Sequence, residues 1–230
     1  MPETLNEVKR TLNTLKGIPT EKITLLVVPG RDWQRDQIDQ IKLWQQQGYR
    51  LAGHGWLHAC SGKKTALHQL HSFFISRNVA EHLSKSQREV EQLICDCHQW
   101  FKENRVPVSS LYVPPAWALG SWSTQSWHRI PFKQIETLHS VLDAQQGKKP
   151  SLLQGFEADT VLRWLFLSGY NWLNRKLAQL QARPLRIAIH PFDTEYWLKK
   201  DLESLAAKPY QWISYDELNH KGSLSTNYLE

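Results

Sequence analysis

The sequence predicts an α/β fold, in which helices cover a mainly parallel sheet that is closed into a barrel or left open. Amphipathic stretches, with apolar residues three and four positions apart, alternate along the chain with short apolar runs typical of buried strands. Most of these runs end at glycine or proline, where a strand-to-helix loop is expected to begin. No repeat, low-complexity tract or long linker divides the chain, so residues 1–230 are expected to form a single domain.

The first half of the chain contains three helix-strand repeats. Leu5, Val8, Leu12 and Leu15 share one helical face, and the next apolar run ends at Pro29. Gly48 provides a natural end for the second helix. The predicted helices are at about 5–15, 37–47 and 87–104, and the predicted strands are at 23–28, 49–52 and 111–113.

The second half is less regular. Three short strands precede a long helix, and the next strand has alternating apolar residues and ends at His190. The predicted strands are at 132–136, 140–143, 152–156, 185–189 and about 212–213, and the predicted helices are at 160–181 and 194–205. In both forms of such a sheet, ligands bind beyond the carboxyl ends of the strands. The residues just after each strand are therefore the first candidates for a functional site.

Composition excludes several classes of protein. Hydrophobic residues make up 41% of the chain and charged residues 22%, which excludes a natively disordered chain. No apolar run approaches the roughly 18 residues needed to cross a bilayer, and no secretory signal is recognisable, so a cytoplasmic protein without membrane contact is expected. The net charge of +6 is spread over the chain without a basic stripe, so no nucleic-acid partner is expected. Three cysteines, Cys60, Cys95 and Cys97, are expected to be reduced thiols.

His54 and His58 follow the second predicted strand and are candidate metal ligands. A spacing of four residues brings two imidazoles to one metal ion if the backbone is helical or tightly turned. Gly53 and Gly55 flank His54 and allow a sharp turn at the site-forming end of the sheet. The alternative is that His54 is a buried structural histidine and His58 a surface residue. His68 and His71 have apolar neighbours at helical spacing and are interpreted as helix positions.

His190 and several tryptophans complete the candidate site. His190 follows an alternating strand and precedes Pro191, which favours an extended backbone at His190. Its imidazole is a third metal ligand or, as we favour, a general acid or base near neutral pH. The chain has 11 tryptophans, and those in predicted loops, among them Trp33, Trp56 and Trp117, either pack in the core or stack on a sugar or base.

Three stretches of the sequence together resemble the polysaccharide deacetylases (NodB-homology, carbohydrate esterase family 4), specifically a bacterial branch of that family. The stretches are Gly53-His-Gly-Trp-Leu-His58, Tyr112-Val-Pro-Pro-Ala-Trp-Ala-Leu-Gly120 and Ile189-His-Pro191, in this order over most of the chain. The resemblance implies a distorted parallel (β/α) barrel of about seven strands. It also implies a divalent metal, usually zinc, held by one aspartate and two histidines.

Carried over residue by residue, the resemblance assigns the metal to His54 and His58, and makes His190 the general acid. Pro115 and Trp117 would form a wall of the substrate groove, with Trp56 and Trp33 as further substrate-binding faces. Two features of the family pattern are missing from the sequence. Val113 and Pro114 occupy the region of the family's arginine, and the acidic strand expected before residue 1 is absent, so we expect that strand to be encoded upstream.

The resemblance implies a metal-dependent hydrolase, acting on C–N bonds other than peptide bonds, that deacetylates an N-acetylated carbohydrate or related amide. The alternative is a catalytically inactive carbohydrate-binding relative that lacks the acidic base and uses its tryptophans as stacking faces. Metal content separates the two, because only the first requires a bound ion.

Overall fold

A computed structural model describes residues 1–57 and 81–220 of the chain. His58, Cys60, His68 and His71 lie outside the described residues, so the expectations for them stay predictions. Within the described ranges, helices alternate with strands, and the predicted α/β class is confirmed. No described helix is long and apolar enough to cross a membrane.

The described elements follow the predicted order closely. The helices are α1 (Leu5–Thr14), α2 (Arg35–Gln46), α3 (Gln87–Glu103), α4 (Val161–Gln181), α5 (Lys199–Glu203) and α6 (Tyr215–His220). The strands are β1 (Thr24–Val27), β2 (Arg50–Gly53), β3 (Leu111–Tyr112), β4 (Gln134–Thr137), β5 (Ser140–Asp143), β6 (Gly147–Pro150), β7 (Leu152–Gly155) and β8 (Leu185–Ala188).

The described strands form two sheets. The larger has the order β1-β2-β3-β4-β5-β6, and the smaller pairs β7 with β8. Strands β1 to β4 are parallel, with Val27 opposite Gly53 and Gly53 opposite Tyr112, whereas β4 and β5 form an antiparallel hairpin. The smaller sheet is parallel. Neither of the two sheets formed by the described strands closes on itself, so the expected barrel is not confirmed.

The described chain divides into two compact units. Unit 1 comprises residues 1–3 and 23–149, and unit 2 comprises residues 4–22 and 150–230. The larger sheet lies in unit 1, and the β7-β8 sheet lies in unit 2. Each unit is described by itself below.

Unit 1 has its core beneath the parallel strands. The predicted apolar face of α3 is confirmed, since Val90, Leu93, Ile94, Cys97 and Phe101 are all buried. The helix begins with a capping box, in which Ser86 and Glu89 satisfy each other's backbone N–H groups. Burial of each large side chain of this face contributes about 1.5 to 3 kcal/mol. This core therefore fixes the positions of β2 and β3 and of the loops at their carboxyl ends.

Unit 2 is built on α4 and the two strands that flank it in sequence. Asn171 of α4 donates to the Gly155 carbonyl at 2.7 Å and accepts from the Gly155 N–H at 3.1 Å. Helix α1 joins the unit through Thr11, whose hydroxyl donates to the Pro191 carbonyl at 3.2 Å. Lys22 and Glu217 form a close ion pair at 2.6 Å. These contacts fix the strand end that carries His190.

Two sequence expectations for the fold are wrong, and one strand was missed. The predicted helix at 194–205 is broken into a short 3-10 turn, Asp193–Glu195, and the short helix α5. Residues 212–213 do not form a strand; α6 begins two residues later. Strand β6 was not predicted, because its sequence Gly-Lys-Lys-Pro has no apolar residue to signal a strand.

Candidate active site

His54 lies on a tight turn directly after β2. Its backbone N–H donates to the Val27 carbonyl at 2.9 Å, which extends the β1-β2 pairing by one step. Gly55 then adopts φ +67, a conformation that favours glycine. A Cβ atom on Gly55 would lie 2.6 Å from Cγ of Pro115. The glycine therefore permits both the turn and the close approach of Pro115.

The imidazole of His54 is held by a backbone carbonyl. Its Nδ1 lies 2.7 Å from the Val113 oxygen, which can only accept a hydrogen bond. Nδ1 therefore carries the proton, and Nε2 is the nitrogen with the lone pair. Metal-ligating histidines usually show this arrangement, in which a carbonyl or carboxylate binds the other ring nitrogen and fixes the tautomer. The geometry makes His54 a competent metal ligand through Nε2.

Glu81 holds the loop that follows His54. Its carboxylate is 7% exposed and accepts the backbone N–H of Trp56 at 2.9 Å and that of Leu57 at 3.2 Å. Two adjacent N–H groups on one carboxylate lock the backbone of the turn, and such charge-assisted bonds are stronger than neutral ones. Sequence reasoning missed Glu81, because it lies 25 residues from Trp56 and belongs to no motif.

A buried polar pair lies beneath the turn. The Tyr112 hydroxyl is 2.8 Å from Nε2 of His82, and both residues are fully buried. Burial lowers the pKa of His82 to about 4 and raises the pKa of Tyr112, so both groups are neutral near pH 7. Because neither group changes charge near neutrality, the pair supports the turn structurally. No motif or spacing in the sequence singles out His82.

The proline-rich stretch after β3 has a strained backbone. Ala116 and Trp117 both have φ +54, which is uncommon for residues with side chains. The Trp117 indole N–H donates to Oε1 of the buried Glu136 at 2.6 Å, which holds the ring in place. Pro115 is buried against Gly55. The structure thus brings two of the predicted wall residues, Pro115 and Trp117, into the same unit as His54.

Trp33 and Trp56 pack partly within unit 1. The Trp33 indole N–H donates to the Val28 carbonyl at 2.9 Å, and its ring lies 5.6 Å from that of Trp100. The Trp56 ring lies over Gly30, where a Cβ would come within 2.6 Å of the indole. Both tryptophans are half-buried, so each contributes to packing and keeps part of its surface exposed.

His190 lies in unit 2, directly after β8. Its backbone N–H donates to Oδ2 of Asp193 at 2.7 Å, and Asp193 is fully buried. The imidazole is 43% exposed, although its Nδ1 atom is buried. The exposed part of the ring therefore lies away from Nδ1.

Acidic groups surround the buried edge of the His190 ring. Nδ1 lies 4.0 Å from Oε2 of Glu157 and 3.9 Å from Oδ2 of Asp193. Arg163 binds the same Glu157 oxygen at 3.1 Å and Asp159 at 3.0 Å, and so balances part of the negative charge. The sequence marked Glu157 and Asp159 only as polar residues after a strand and did not connect them with His190.

Asp193 has an unusual environment for a carboxylate. Burial raises its pKa to about 6, and the neighbouring His190 only partly opposes this effect. Within the described residues, its Oδ1 atom has no hydrogen-bond partner. A buried carboxyl of this kind gains or loses a proton in the pH range where histidine also titrates.

Candidate metal ligands are few among the described residues. Within residues 1–57 and 81–220, no group of three histidine, cysteine, aspartate or glutamate side chains could hold a metal ion. His54 fits such a role by its tautomer, whereas His58 lies outside the described residues. The two described cysteines are free thiols, and burial raises the pKa of both, so thiolate ligation at neutral pH is disfavoured.

No family model and no curated protein matches the sequence. Solved structures similar to the chain include the Xyl-CE4 domain of a multidomain xylanase from the hindgut metagenome of Trinervitermes trinervoides. The two chains are 13% identical, and the match covers 94% of this chain and 83% of that one with a TM-score of 0.47. Residue roles in this protein therefore depend on its own geometry.

Proposed function

We propose that the protein is a metal-dependent hydrolase that removes acetyl groups from an N-acetylated carbohydrate or a related amide. The observation that carries the proposal is the His54 imidazole, whose Nδ1 proton is fixed on the Val113 carbonyl at 2.7 Å. This contact leaves the lone pair on Nε2, where it is available to a metal ion. Glu81 holds the turn that carries His54 through a backbone hydrogen bond. A histidine on the surface without a ligand role does not require a fixed tautomer or a fixed turn.

In this proposal His54 and His58 hold a divalent metal, with zinc the expected ion. When bound, such an ion polarises a carbonyl and lowers the pKa of bound water to about 7. The role of the chain is to present the two imidazoles at fixed orientation, and Glu81 and Gly55 serve that role through the backbone. Pro115 and Trp117 would offer a rigid face to the sugar, since the Trp117 ring is held by Glu136.

His190 supplies the proton to the leaving amine in the same proposal. Glu157 and Asp193 lie about 4 Å from its buried Nδ1 edge and orient the ring, while the exposed edge can reach a ligand. A general acid of this kind contributes roughly 10²- to 10⁴-fold to the rate. We therefore expect His190→Ala to slow hydrolysis by that factor while the bound metal stays in place.

Elemental analysis of purified variants tests the metal site. We expect His54→Ala and His58→Ala each to lose the metal, because the one histidine that remains cannot hold zinc in its usual tetrahedral geometry against water. His139→Ala is the matched control, since His139 is an exposed histidine in unit 1. Unchanged metal content in both ligand variants would overturn the metal proposal.

Turnover of N-acetylated oligosaccharides, followed by acetate release, tests the reaction itself. Metal-loaded protein should release acetate, and a chelator should stop it. Binding of the oligosaccharide with no acetate release would instead support the alternative of an inactive carbohydrate-binding protein. The indole N–H groups of Trp33 and Trp117 are already bonded to Val28 and Glu136, so in that case sugar contact would use the ring faces.

A further inference from the structure

Helix α4 carries its apolar and polar residues in an unusual arrangement. Its solvent-facing side is apolar, with Leu162 60%, Leu165 58%, Trp172 56%, Leu173 49% and Leu180 82% exposed. Its buried side includes two polar residues, Asn171 at 2% and Asn174 at 6% exposure. Surface helices normally show the reverse pattern. An exposed stripe of this kind marks an interaction surface.

The orientation of α4 is fixed by hydrogen bonds. Asn171 bonds both the N–H and the carbonyl of Gly155, at 3.1 and 2.7 Å. A rotation of the helix that buried the leucines would break both bonds and would leave a buried amide unsatisfied, at a cost of about 1 to 3 kcal/mol. The apolar stripe therefore faces outward because the polar side is bonded to β7.

The exposed stripe has the spacing of a helix-helix seam. Its residues recur every three or four positions over five turns, as in the seam between two paired helices. Gly169 lies at its centre and is exposed, and a Cβ on Gly169 would meet no described atom within 4 Å. A glycine in this place lets a second helix approach closely. The stripe consists of Leu162, Leu165, Phe166, Gly169, Trp172, Leu173, Lys176 and Leu180.

The seam is complementary to itself when two copies run antiparallel with Gly169 on the twofold axis. Leu165 then faces the partner's Leu173, and Phe166 faces the partner's Trp172. Lys176 is the single charged residue of the seam, and it falls beside the partner's Leu162, one turn from the partner's Asp159. In a parallel pair, Lys176 would instead face its own copy, and like charges placed so close are destabilising.

Charge along the helix favours the same arrangement. Helix α4 contains Arg163, Arg175 and Lys176 and no acidic residue, whereas Glu157 and Asp159 lie just before its N-terminus. Arg163 pairs with both acids, and one cation between two carboxylates leaves the N-terminal end with a net negative charge. Arg175 and Lys176 give the C-terminal half a positive charge. An antiparallel partner places that basic half against the acidic N-terminal end.

We propose that the apolar stripe of α4 is the interface of a homodimer, in which the α4 helices of two copies pack antiparallel across Gly169. Six large side chains of the stripe, each between 40% and 82% exposed, supply its apolar area. That area is smaller than the roughly 800 Å² per partner of a standard stable interface. The dimer should accordingly dissociate in the micromolar range and depend on protein concentration.

Sedimentation velocity of the full chain between about 1 and 100 μM tests the proposal. The wild-type protein should shift from monomer to dimer mass across this range. Leu173→Glu, which places two buried carboxylates in the seam, should stay monomeric throughout. Leu43→Glu is the matched control, because Leu43 lies on α2 and is 47% exposed, close to the 49% of Leu173. The control should dimerise like the wild type.

A charge reversal tests the antiparallel arrangement. Lys176→Glu should weaken the dimer several-fold, and adding Asp159→Lys should restore part of the affinity. Failure of the second change to restore any affinity, with the dimer otherwise present, would contradict the antiparallel pairing. The readout is mass alone, so it does not depend on the metal or on hydrolysis.

A lipid surface is the competing occupant of the stripe. Vesicles of phosphatidylcholine with phosphatidylserine, cosedimented with the protein, distinguish the two. A wild-type protein that stays monomeric to 100 μM overturns the dimer, and vesicle binding that Leu173→Glu removes would then assign the stripe to membranes. A wild-type dimer that Leu173→Glu leaves intact also overturns the proposal, because its interface must then lie elsewhere.

Discussion

At the scale of single residues, the clearest dependence is on Gly55. Gly55→Ala places a methyl group 2.6 Å from Pro115 and 2.8 Å from Glu81 at φ +67. Gly147 has φ +76 but no described neighbour within 4 Å, so Gly147→Ala incurs only the backbone strain. We expect Gly147→Ala to lower the free energy of unfolding by about 1 kcal/mol and Gly55→Ala by clearly more. Urea denaturation measures both, and equal losses would contradict the close packing at Gly55.

Asp193 gives a second residue-scale prediction, through pH. Its pKa is about 6 in the folded protein, against an ordinary value of 3.8. The folded state thus holds this proton more tightly, so the stability it contributes is full below pH 4 and is lost as pH rises through 6. Asp193→Asn should remove that loss, which is at most about 3 kcal/mol.

Urea unfolding of the wild type and Asp193→Asn from pH 4 to 7 measures the difference. The curves should converge toward low pH and separate as pH rises, with the variant the more stable above pH 6. Asp201→Asn, at an exposed aspartate of the same unit, should follow the wild type at every pH. Parallel curves for wild type and Asp193→Asn would show that Asp193 does not titrate in this range.

The sequence could locate His54 but could not supply its environment. Glycines on both sides of a histidine after an apolar run are a local signal, and the turn they predict is present. The partners of that turn, Val113 and Glu81, come from distant parts of the chain, and only the fold brings them together. The same holds for His190, whose acidic neighbour Glu157 lies in another loop.

At the scale of elements, Glu81 decides how firmly the loop after β2 is held. Glu81→Ala leaves the N–H groups of Trp56 and Leu57 without their shared acceptor. Each such loss costs about 1 to 3 kcal/mol, and the loop that positions His54 should loosen as well. Glu103→Ala, at an exposed glutamate near the end of α3, is the control.

Two measurements separate the local effect from a general one. Urea denaturation should show Glu81→Ala less stable than Glu103→Ala by at least about 2 kcal/mol. Metal affinity, measured by competition with a chelating dye under native conditions, should fall about 10- to 100-fold in Glu81→Ala alone, as for other residues that orient ligands. An unchanged affinity would show that Glu81 stabilises the loop without orienting the ligand.

Helices and strands were predicted correctly where apolar residues recur at a regular spacing. The prediction failed where tertiary contacts decide the local backbone conformation. The buried face of α3 follows directly from residues three and four apart. The expected helix after His190 is instead interrupted, because Asp193 turns back to bond the His190 N–H. The outward apolar face of α4 could not be predicted either, since periodicity identifies a stripe but not the direction it faces.

At the scale of the whole molecule, the two units should respond to acid in opposite ways. His82 in unit 1 has a pKa of about 4, against an ordinary 6.5, so its contribution to stability is full above 6.5 and is lost as pH falls toward 4. The contribution of Asp193 to the stability of unit 2 increases as pH falls over much of the same interval. Acidification from pH 7 to 5 should therefore weaken unit 1 and strengthen unit 2.

Pulse proteolysis in a urea gradient, with fragments assigned by mass, follows the units separately. The urea midpoint for unit 1 fragments should fall between pH 7 and 5, and that for unit 2 fragments should rise. His82→Gln should flatten the response of unit 1 and leave unit 2 unchanged. Midpoints that move together at both pH values would show that the chain unfolds as one cooperative body.

The α/β class was predictable because alternating helices and strands leave a strong pattern in the sequence. The pairing of those strands was less accessible: β4 and β5 turn back as an antiparallel hairpin, and the short sequence between them carries no glycine or proline signal. The single domain expected over residues 1–230 stays a prediction.

The bond between Asn171 and Gly155 makes one amide an internal reporter. The Gly155 N–H donates to a side chain of α4. The protection of this amide from deuterium exchange therefore depends on whether the helix stays packed on β7. Movement of α4 away from the strand would expose this amide while the strand itself stays paired with β8. The Gly155 exchange rate therefore measures, in a single NMR signal, how often the helix leaves its strand.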